Sequence, residues 1–235
     1  MNTLSRRSVV VMAGVSALAY ARLFAQSHEG HHGSDDSAVC TAGTPIPIIP
    51  VTSDIPFDLA YIDTMIPHHS SVIALSERAI GELKDGRLVE IAQAVLDTQP
   101  GEIEQLKSFR AEWYPDEPVE ISDDRMMEMM MVTMAGSMDG CTPMDHASMM
   151  DTDSDMDHMV LMDSEAIVKA FENADNKDLS FIDLVVPHHQ MAVRQSQVGL
   201  ELAEHDELRA LLDDVIAAQT AEIEELLAIR EEIEG

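Results

Sequence analysis

The stretch "YIDTMIPHHSSVIAL", from Tyr61 to Leu75, places a proline and two adjacent histidines inside an otherwise apolar run. The stretch "FIDLVVPHHQMAVRQ", from Phe181 to Gln195, repeats this arrangement 120 residues later. In both stretches the apolar residues follow the three-and-four spacing of one buried helical face. Each stretch is therefore predicted to form a helix that carries imidazoles on or beside its apolar face.

The correspondence between the two parts of the chain continues beyond these stretches without a gap. A Q-x-x-E-I motif occurs at residues 99–103 and again at residues 219–223, which are also 120 residues apart. This agreement predicts an internal duplication in which each copy forms two helices joined by a turn. Pro100 and Gly101 are expected to break the second helix of the first copy.

The fold class predicted from this duplication is all-α. A helical hairpin cannot cover its own apolar face, so the two hairpins are expected to pack together. The expected architecture is a four-helix bundle made of two repeated helical hairpins, with a long Met-rich crossover between its second and third helices. Short additional helices are expected at residues 126–134 and 164–174.

Composition divides the chain into five segments, the first of which has the features of a targeting sequence. Arg6 and Arg7 precede a short uncharged apolar run at residues 9–19 and then small residues suited to cleavage. The stretch "SRRSVV" resembles a twin-arginine signal, and an ordinary secretory signal is the alternative. The five segments are residues 1–25, an export signal; 26–53, a flexible His-containing tail; 54–114, the first hairpin; 115–163, the Met-, Asp- and His-rich crossover; and 164–235, the second hairpin.

Both kinds of signal place the mature protein outside the cytoplasm, either in a periplasm or secreted. The apolar run of the signal is too short to span a bilayer comfortably, so no stable membrane span is expected after cleavage. The 44 acidic and 14 basic residues give a formal net charge of −30, which repels phosphate backbones and attracts cations. Metal ions are therefore favoured as partners and nucleic acid is not. A solvated surface adapted to high salt is the alternative explanation of the charge.

The two double histidines are the first candidate metal ligands. A buried neutral histidine with one hydrogen-bond partner is the ordinary explanation of a single case, but here four recur in duplicate. His69 and His189 lie on the apolar stripes and are predicted to be the inner pair. His68 and His188 are predicted to flank them, because neighbours on a helix point about 100° apart.

Two glutamates of the second helices are expected to meet these histidines. Glu102 and Glu222 lie on or beside the apolar stripes, where a carboxylate is costly unless it is paired or bound to a metal. They are predicted to approach His69 and His189 around a pseudo-twofold axis. The alternative to a metal site at this point is a metal-free network of hydrogen bonds.

The crossover and the tail hold further candidate ligands. Thirteen of the seventeen methionines lie between Met126 and Met162, and the motifs "MDHASM" and "MDHM" place thioether, carboxylate and imidazole groups within a few residues. Thioethers select Cu(I) and imidazole also suits Cu(II), so copper in either state is the predicted metal, with another divalent metal as the alternative. The candidate ligands of these segments are Met144, His146, Met149, Met156, His158, Met159, His28, His31 and His32.

The paired [MV]-[IV]-P-H-H and Q-x-x-E-I motifs resemble those of the domain of unknown function 305 family. This is a ferritin-like four-helix family that includes exported copper-binding proteins. The resemblance covers about residues 54–233 except the crossover, and it implies a ferritin-like bundle. It also implies a metal site formed by His68, His69, His188 and His189, with Met65 and, as further candidates, Glu102 and Glu222.

Three functions fit these features. The leading expectation is an exported copper-binding protein that sequesters copper, gives tolerance to it or transfers it. One alternative is a ferritin-like oxidoreductase acting on metal or oxygen, but di-iron bundles usually use Glu-x-x-His pairs on their helices and neither copy has one. The other alternative is a metal-free interaction module whose methionines bind partners. No catalytic residue is predicted.

Overall fold

The computed structural model describes residues 53–134 and 161–235, and these residues form helices and no strand. The predicted all-α class is confirmed. No helix within the described residues is long and apolar enough to cross a membrane. The helices are α1 (Phe57–Ala79), α2 (Gly86–Trp113), α3 (Asp123–Thr133), α4 (Ser164–Asn173), α5 (Lys177–Leu202) and α6 (Asp206–Glu234).

The four long helices form two hairpins that pack together through their first helices. α1 and α2 form one hairpin, α5 and α6 form the other, and α1 contacts α5. α2 and α6 touch each other only slightly, so α1 and α5 are the inner helices. The short helices α3 and α4, both predicted from the sequence, lie against α1. α1 is therefore packed by α2, α3, α4 and α5.

The apolar core consists of two clusters, and each inner helix contributes to both. On α1 the residues up to Met65 belong to the first cluster and those from Val72 onward belong to the second. On α5 the order is reversed, with Val186 in the second cluster and Val198 in the first. The two inner helices are thus antiparallel. Their double histidines lie between the two apolar clusters.

α2 runs without a break through Pro100 and Gly101, so the expected break at these residues is wrong. A proline inside a helix costs about 3 kcal/mol, because it removes one hydrogen bond and crowds the preceding turn. Val95 and Leu106, on either side of it, are both fully buried. Each such side chain contributes about 1.5–3 kcal/mol through burial, which offsets the cost of the proline.

Two aspartates interlock the hairpins, because each one caps the turn of the opposite hairpin. Asp58, in the first turn of α1, accepts hydrogen bonds from the backbone N–H groups of Glu204 and His205 at 3.0 and 3.1 Å. Its carboxylate also lies 2.6 Å from Nδ1 of His205. Asp178, 120 residues after Asp58, accepts from the backbone N–H of Lys84 at 2.8 Å. Asp58 and Asp178, which are 120 residues apart, therefore make equivalent capping contacts in the two hairpins.

A second pair of equivalent contacts holds the helices of each hairpin together. Nε of Arg110 donates to Asp63 at 2.7 Å, and Arg230 lies 3.0 Å from Asp183. The first pair is largely buried, whereas the second is half exposed at its aspartate. Exposed ion pairs contribute little to the free energy of unfolding, so the Arg110–Asp63 pair contributes more to stability than the Arg230–Asp183 pair.

One buried contact between the two copies lacks its counterpart. The hydroxyls of Tyr61 and Ser196 are 2.8 Å apart in the core, and burial raises the pKa of Tyr61, so its hydroxyl stays protonated. The equivalent positions hold Phe181 and Ser76, and the Ser76 hydroxyl is buried without a hydrogen-bond partner. Because Phe181 lacks the phenol oxygen of Tyr61, the Ser76 hydroxyl has no equivalent partner.

Replacing Phe181 with Tyr should therefore stabilise the protein by giving Ser76 a partner. A net hydrogen bond of this kind contributes about 0.5–1.5 kcal/mol to the free energy of unfolding, which urea denaturation measures. The same substitution in a Ser76→Ala background should bring no such gain. Equal effects in the two backgrounds would show that the phenol does not reach Ser76.

Candidate metal centre

The imidazoles of His68 and His188 contact each other between the two inner helices. Each histidine follows a proline that lies inside its helix, Pro67 in α1 and Pro187 in α5. The ring centroids are 3.6 Å apart, and both side chains are almost completely buried. Nε2 of His68 lies 3.1 Å from the backbone oxygen of His188, and Nε2 of His188 lies 2.9 Å from that of His68. The two hairpins are thus joined by a reciprocal pair of contacts.

These contacts determine the tautomer of both rings. A carbonyl oxygen only accepts hydrogen bonds, so Nε2 is the protonated donor and Nδ1 carries the free lone pair. Burial lowers the pKa of His68 and of His188 well below the ordinary value, and the neighbouring imidazoles lower it further. Both rings are therefore neutral at physiological pH, which is the form that binds metals.

His69 and His189 each contact a glutamate of their own hairpin. Nε2 of His69 and Oε2 of Glu102 form a hydrogen bond of 2.8 Å. Nε2 of His189 also lies 2.8 Å from Oε2 of Glu222, although the angle is poor for a hydrogen bond. The two glutamates therefore meet these two histidines, each within its own hairpin. In the His69–Glu102 hydrogen bond the carboxylate is the acceptor, so Nε2 of His69 is the donor and its Nδ1 has no partner.

We refer to His68, His69, His188 and His189 as the histidine layer. All four Nδ1 atoms of this layer are buried and have no hydrogen-bond partner. A buried polar atom without a partner costs about 1–3 kcal/mol, so natural structures rarely keep several of them together without a reason. Four buried imidazole nitrogens without partners fit a bound transition-metal ion, since imidazole suits copper, zinc, iron and nickel.

The donors are not assembled into a complete coordination sphere. Among residues 53–134 and 161–235, no group of three or more His, Cys, Asp or Glu side chains is placed so that it could hold a metal ion. A metal that uses the histidine layer would therefore require some imidazoles to change rotamer.

The prediction that His69 and His189 form the inner pair is wrong, because the rings in contact between the hairpins are those of His68 and His188. α1 packs against two long helices, α2 and α5, in different directions. The centre of its apolar stripe faces α2, where His69 meets Glu102, and the flank of the stripe faces α5. Helical periodicity identifies the buried face but not which neighbour covers each part of it.

Each inner helix carries one buried methionine close in sequence to its double histidine. Met65, expected from the family resemblance, is fully buried in the first apolar cluster. Met191 is also buried, and it was not among the predicted ligands. It occupies the position equivalent to Ser71, whose hydroxyl lies 3.1 Å from Nε2 of His188. The signal that could have identified Met191 is its place three residues after a repeated histidine.

The remaining predicted ligands belong to the tail and the crossover. The tail and crossover candidates lie outside the described residues; they are His28, His31, His32, Met144, His146, Met149, Met156, His158 and Met159.

The fold and the histidine layer define an all-α protein with a candidate metal centre between two helical hairpins. Residues 58–230 match the family described as Domain of unknown function (DUF305), and the chain belongs to that family. The resemblance noted from the paired motifs is therefore confirmed. Among curated proteins, the uncharacterized protein L153 of Acanthamoeba polyphaga mimivirus is 35% identical over 52 residues, which is 22% of this chain and 34% of that protein. The match thus spans about a third of that relative's length.

Solved structures of CopM resemble this chain over most of its length. CopM in its Cu(II)-bound form is 26% identical with a TM-score of 0.55, and the match covers 77% of this chain and 99% of CopM. For the Cu(I)-bound form the identity is 25%, the TM-score 0.54 and the coverage 76% and 98%. A DUF305 protein from Streptomyces coelicolor is 18% identical with a TM-score of 0.55, covering 75% of this chain and 93% of that protein. The last likeness concerns the fold alone.

The neutral state of His68 and His188 makes stability depend on pH. Their ordinary pKa is 6.5 and the folded-state pKa lies well below it, so the unfolded chain binds more protons at pH values under 6.5. Their contribution to the free energy of unfolding is therefore complete above pH 6.5. It falls as the pH is lowered from 6.5 towards 5, by up to about 1.4 kcal/mol per pH unit for each histidine.

Urea denaturation between pH 7.5 and 5 measures this slope. The His68→Gln/His188→Gln variant keeps donors for the two carbonyls and loses the titrating groups, so its slope should be shallower. Identical slopes in the two proteins would contradict the assignment of buried neutral imidazoles.

Proposed function

We propose that this chain is an exported copper-binding protein that sequesters copper or hands it over outside the cytoplasm. The observation that carries the proposal is the set of four buried Nδ1 atoms without partners between the two hairpins. Neutral imidazole is a good ligand for copper, and no other polar group of the described residues satisfies these atoms. The copper-bound forms of CopM, at 25–26% identity, support the choice of metal.

In this proposal the histidine layer supplies the nitrogen donors, through Nδ1. Met65 is the nearby thioether on α1, one helical turn before His68 and His69. Because a thioether is soft, its presence favours Cu(I) over harder ions. Cu(II) remains compatible with the imidazoles.

Glu102 and Glu222 have a supporting role. Each lies 2.8 Å from Nε2 of a histidine, and the hydrogen bond of Glu102 holds the His69 ring with Nδ1 free. Carboxylates that bond the far nitrogen of a ligating histidine fix its orientation and raise its basicity. In our proposal the glutamates orient His69 and His189 rather than bind the metal themselves.

The crossover and the tail add further ligands in this proposal, and residues 1–25 direct export. The six crossover candidates combine thioether and imidazole groups, and the tail contributes His28, His31 and His32. Ligands of this kind suit exchange of copper with the centre. Rearrangement of the imidazoles on binding also lowers affinity, which suits a protein that releases its metal.

A metal-free histidine network is the second candidate, and one observation favours it. Each of the four Nε2 atoms already lies within 3.1 Å of an oxygen, as in a structural network. Such a network leaves all four Nδ1 atoms unpaired, however. Copper binding gives a reason for keeping these atoms without protein partners.

Copper-dependent thermal stability tests the two candidates. A metal that binds only the folded state stabilises it by about 2.7 kcal/mol at a hundredfold excess over its dissociation constant, so copper should raise the unfolding temperature. The His68→Gln/His188→Gln variant and the His69→Gln/His189→Gln variant should both lose most of this increment. His205→Gln, which removes a histidine that contacts Asp58 outside the centre, should keep it.

Two outcomes would count against the proposal. The absence of a copper-dependent shift in the wild type would favour the metal-free network. Equal shifts in the wild type and in both double variants would place the ion elsewhere.

The crossover contributes separately to copper stoichiometry. Replacing its six candidate ligands with Ser should reduce the number of Cu(I) equivalents bound, measured by competition with a chromogenic chelator. The copper-dependent thermal shift should persist, because the centre is intact. Unchanged stoichiometry would exclude these six residues as ligands. The substituted residues are Met144, His146, Met149, Met156, His158 and Met159.

A further inference from the structure

α3 carries two methionines on the protein surface. Met127 is 48% exposed and Met131 is 56% exposed, although methionine is ordinarily a core residue. They are four positions apart on one helix, which brings their β-carbons within about 5–6 Å of each other. Both side chains are long and unbranched, so their sulfur atoms can reach one ion between them.

Neither packing nor helix formation accounts for these two methionines. α3 is anchored by its other face, where Met129, Met130 and Val132 are buried. Side-chain contacts also hold it, including the hydrogen bond from Gln195 of α5 to Thr133 at 2.9 Å. Glutamate, lysine and glutamine have about the same helix propensity as methionine and would suit an exposed position better. A thioether therefore has another use here.

The surroundings favour a cation over a protein partner. Asp123 and Asp124 lie in the first turn of α3, and Glu128 lies between the two methionines. With a net charge of −30, the field of the chain concentrates cations. Two side chains also form an apolar patch well below the several hundred Å² typical of a protein interaction surface.

We infer that α3 carries a surface site for a soft monovalent cation, Cu(I) or Ag(I), held by the thioethers of Met127 and Met131. Neutral sulfur ligands select such ions over hard divalent cations. The inference rests on the copper-binding function proposed above, because both methionines belong to the Met-rich crossover. The site shares no residue with the histidine layer, so the two can be tested separately.

Silver titration of the full chain tests this site, because Ag(I) has the same preference for sulfur and, unlike Cu(I), is not readily oxidised to a divalent ion. With methyl-¹³C methionine, the methyl signals of Met127 and Met131, assigned by substitution, should shift on addition of stoichiometric Ag(I). The Met127→Leu/Met131→Leu variant keeps the apolar surface and should bind one equivalent fewer than the wild type in competition with a chelator. The matched variant Met129→Leu/Met130→Leu removes two buried thioethers of the same helix. It should bind as many equivalents of Ag(I) as the wild type.

The same loss of one equivalent should occur in the His68→Gln/His188→Gln background, which separates this site from the centre. Full stoichiometry in the Met127→Leu/Met131→Leu variant would overturn the inference. The inference would also be overturned if the methyl signals did not respond to silver but shifted with protein concentration. That result would indicate an apolar contact between copies of the chain. Circular dichroism of each variant checks that its helix content is unchanged.

Discussion

The contact between His68 and His188 determines how the two hairpins meet. Each ring donates through Nε2 to the backbone of the opposite helix, at 3.1 and 2.9 Å, and the rings lie 3.6 Å apart. A shift of either helix along its axis would break both bonds and leave buried donors unpaired, at a cost of about 1–3 kcal/mol each. This pair therefore fixes the register of α1 against α5. It also fixes the tautomer, so that Nδ1 of each ring is free.

The position of the histidine layer between two apolar clusters explains why it can be both buried and polar. The clusters contain most of the large aliphatic side chains and supply the hydrophobic stabilisation. Asp58 and Asp178 then tie the ends of the hairpins together through the turns. The layer itself can keep unsatisfied nitrogen atoms because the rest of the fold offsets their cost. Sites that retain such atoms are commonly functional.

The sequence predicted the fold class and the helical hairpins because their signals are local and occur twice. It also predicted that His69 and His189 would meet Glu102 and Glu222, since all four lie on or beside apolar stripes, but not that each contact would form within one hairpin. It did not predict which histidines meet between hairpins, because that depends on the direction in which α1 packs against α5. Pro100 was misinterpreted for a related reason: the tertiary packing on both sides outweighs the local preference of proline.

The central claim is that the free Nδ1 atoms of the histidine layer bind copper, and ¹⁵N NMR of the histidine side chains tests it most directly. In the metal-free protein all four rings should show a protonated Nε2 and an unprotonated Nδ1. On addition of Cu(I), the Nδ1 signals of His68, His69, His188 and His189, identified by single substitutions, should move while Nε2 stays protonated. Nδ1 signals that do not respond to Cu(I), or a response at Nε2 instead, would contradict the account.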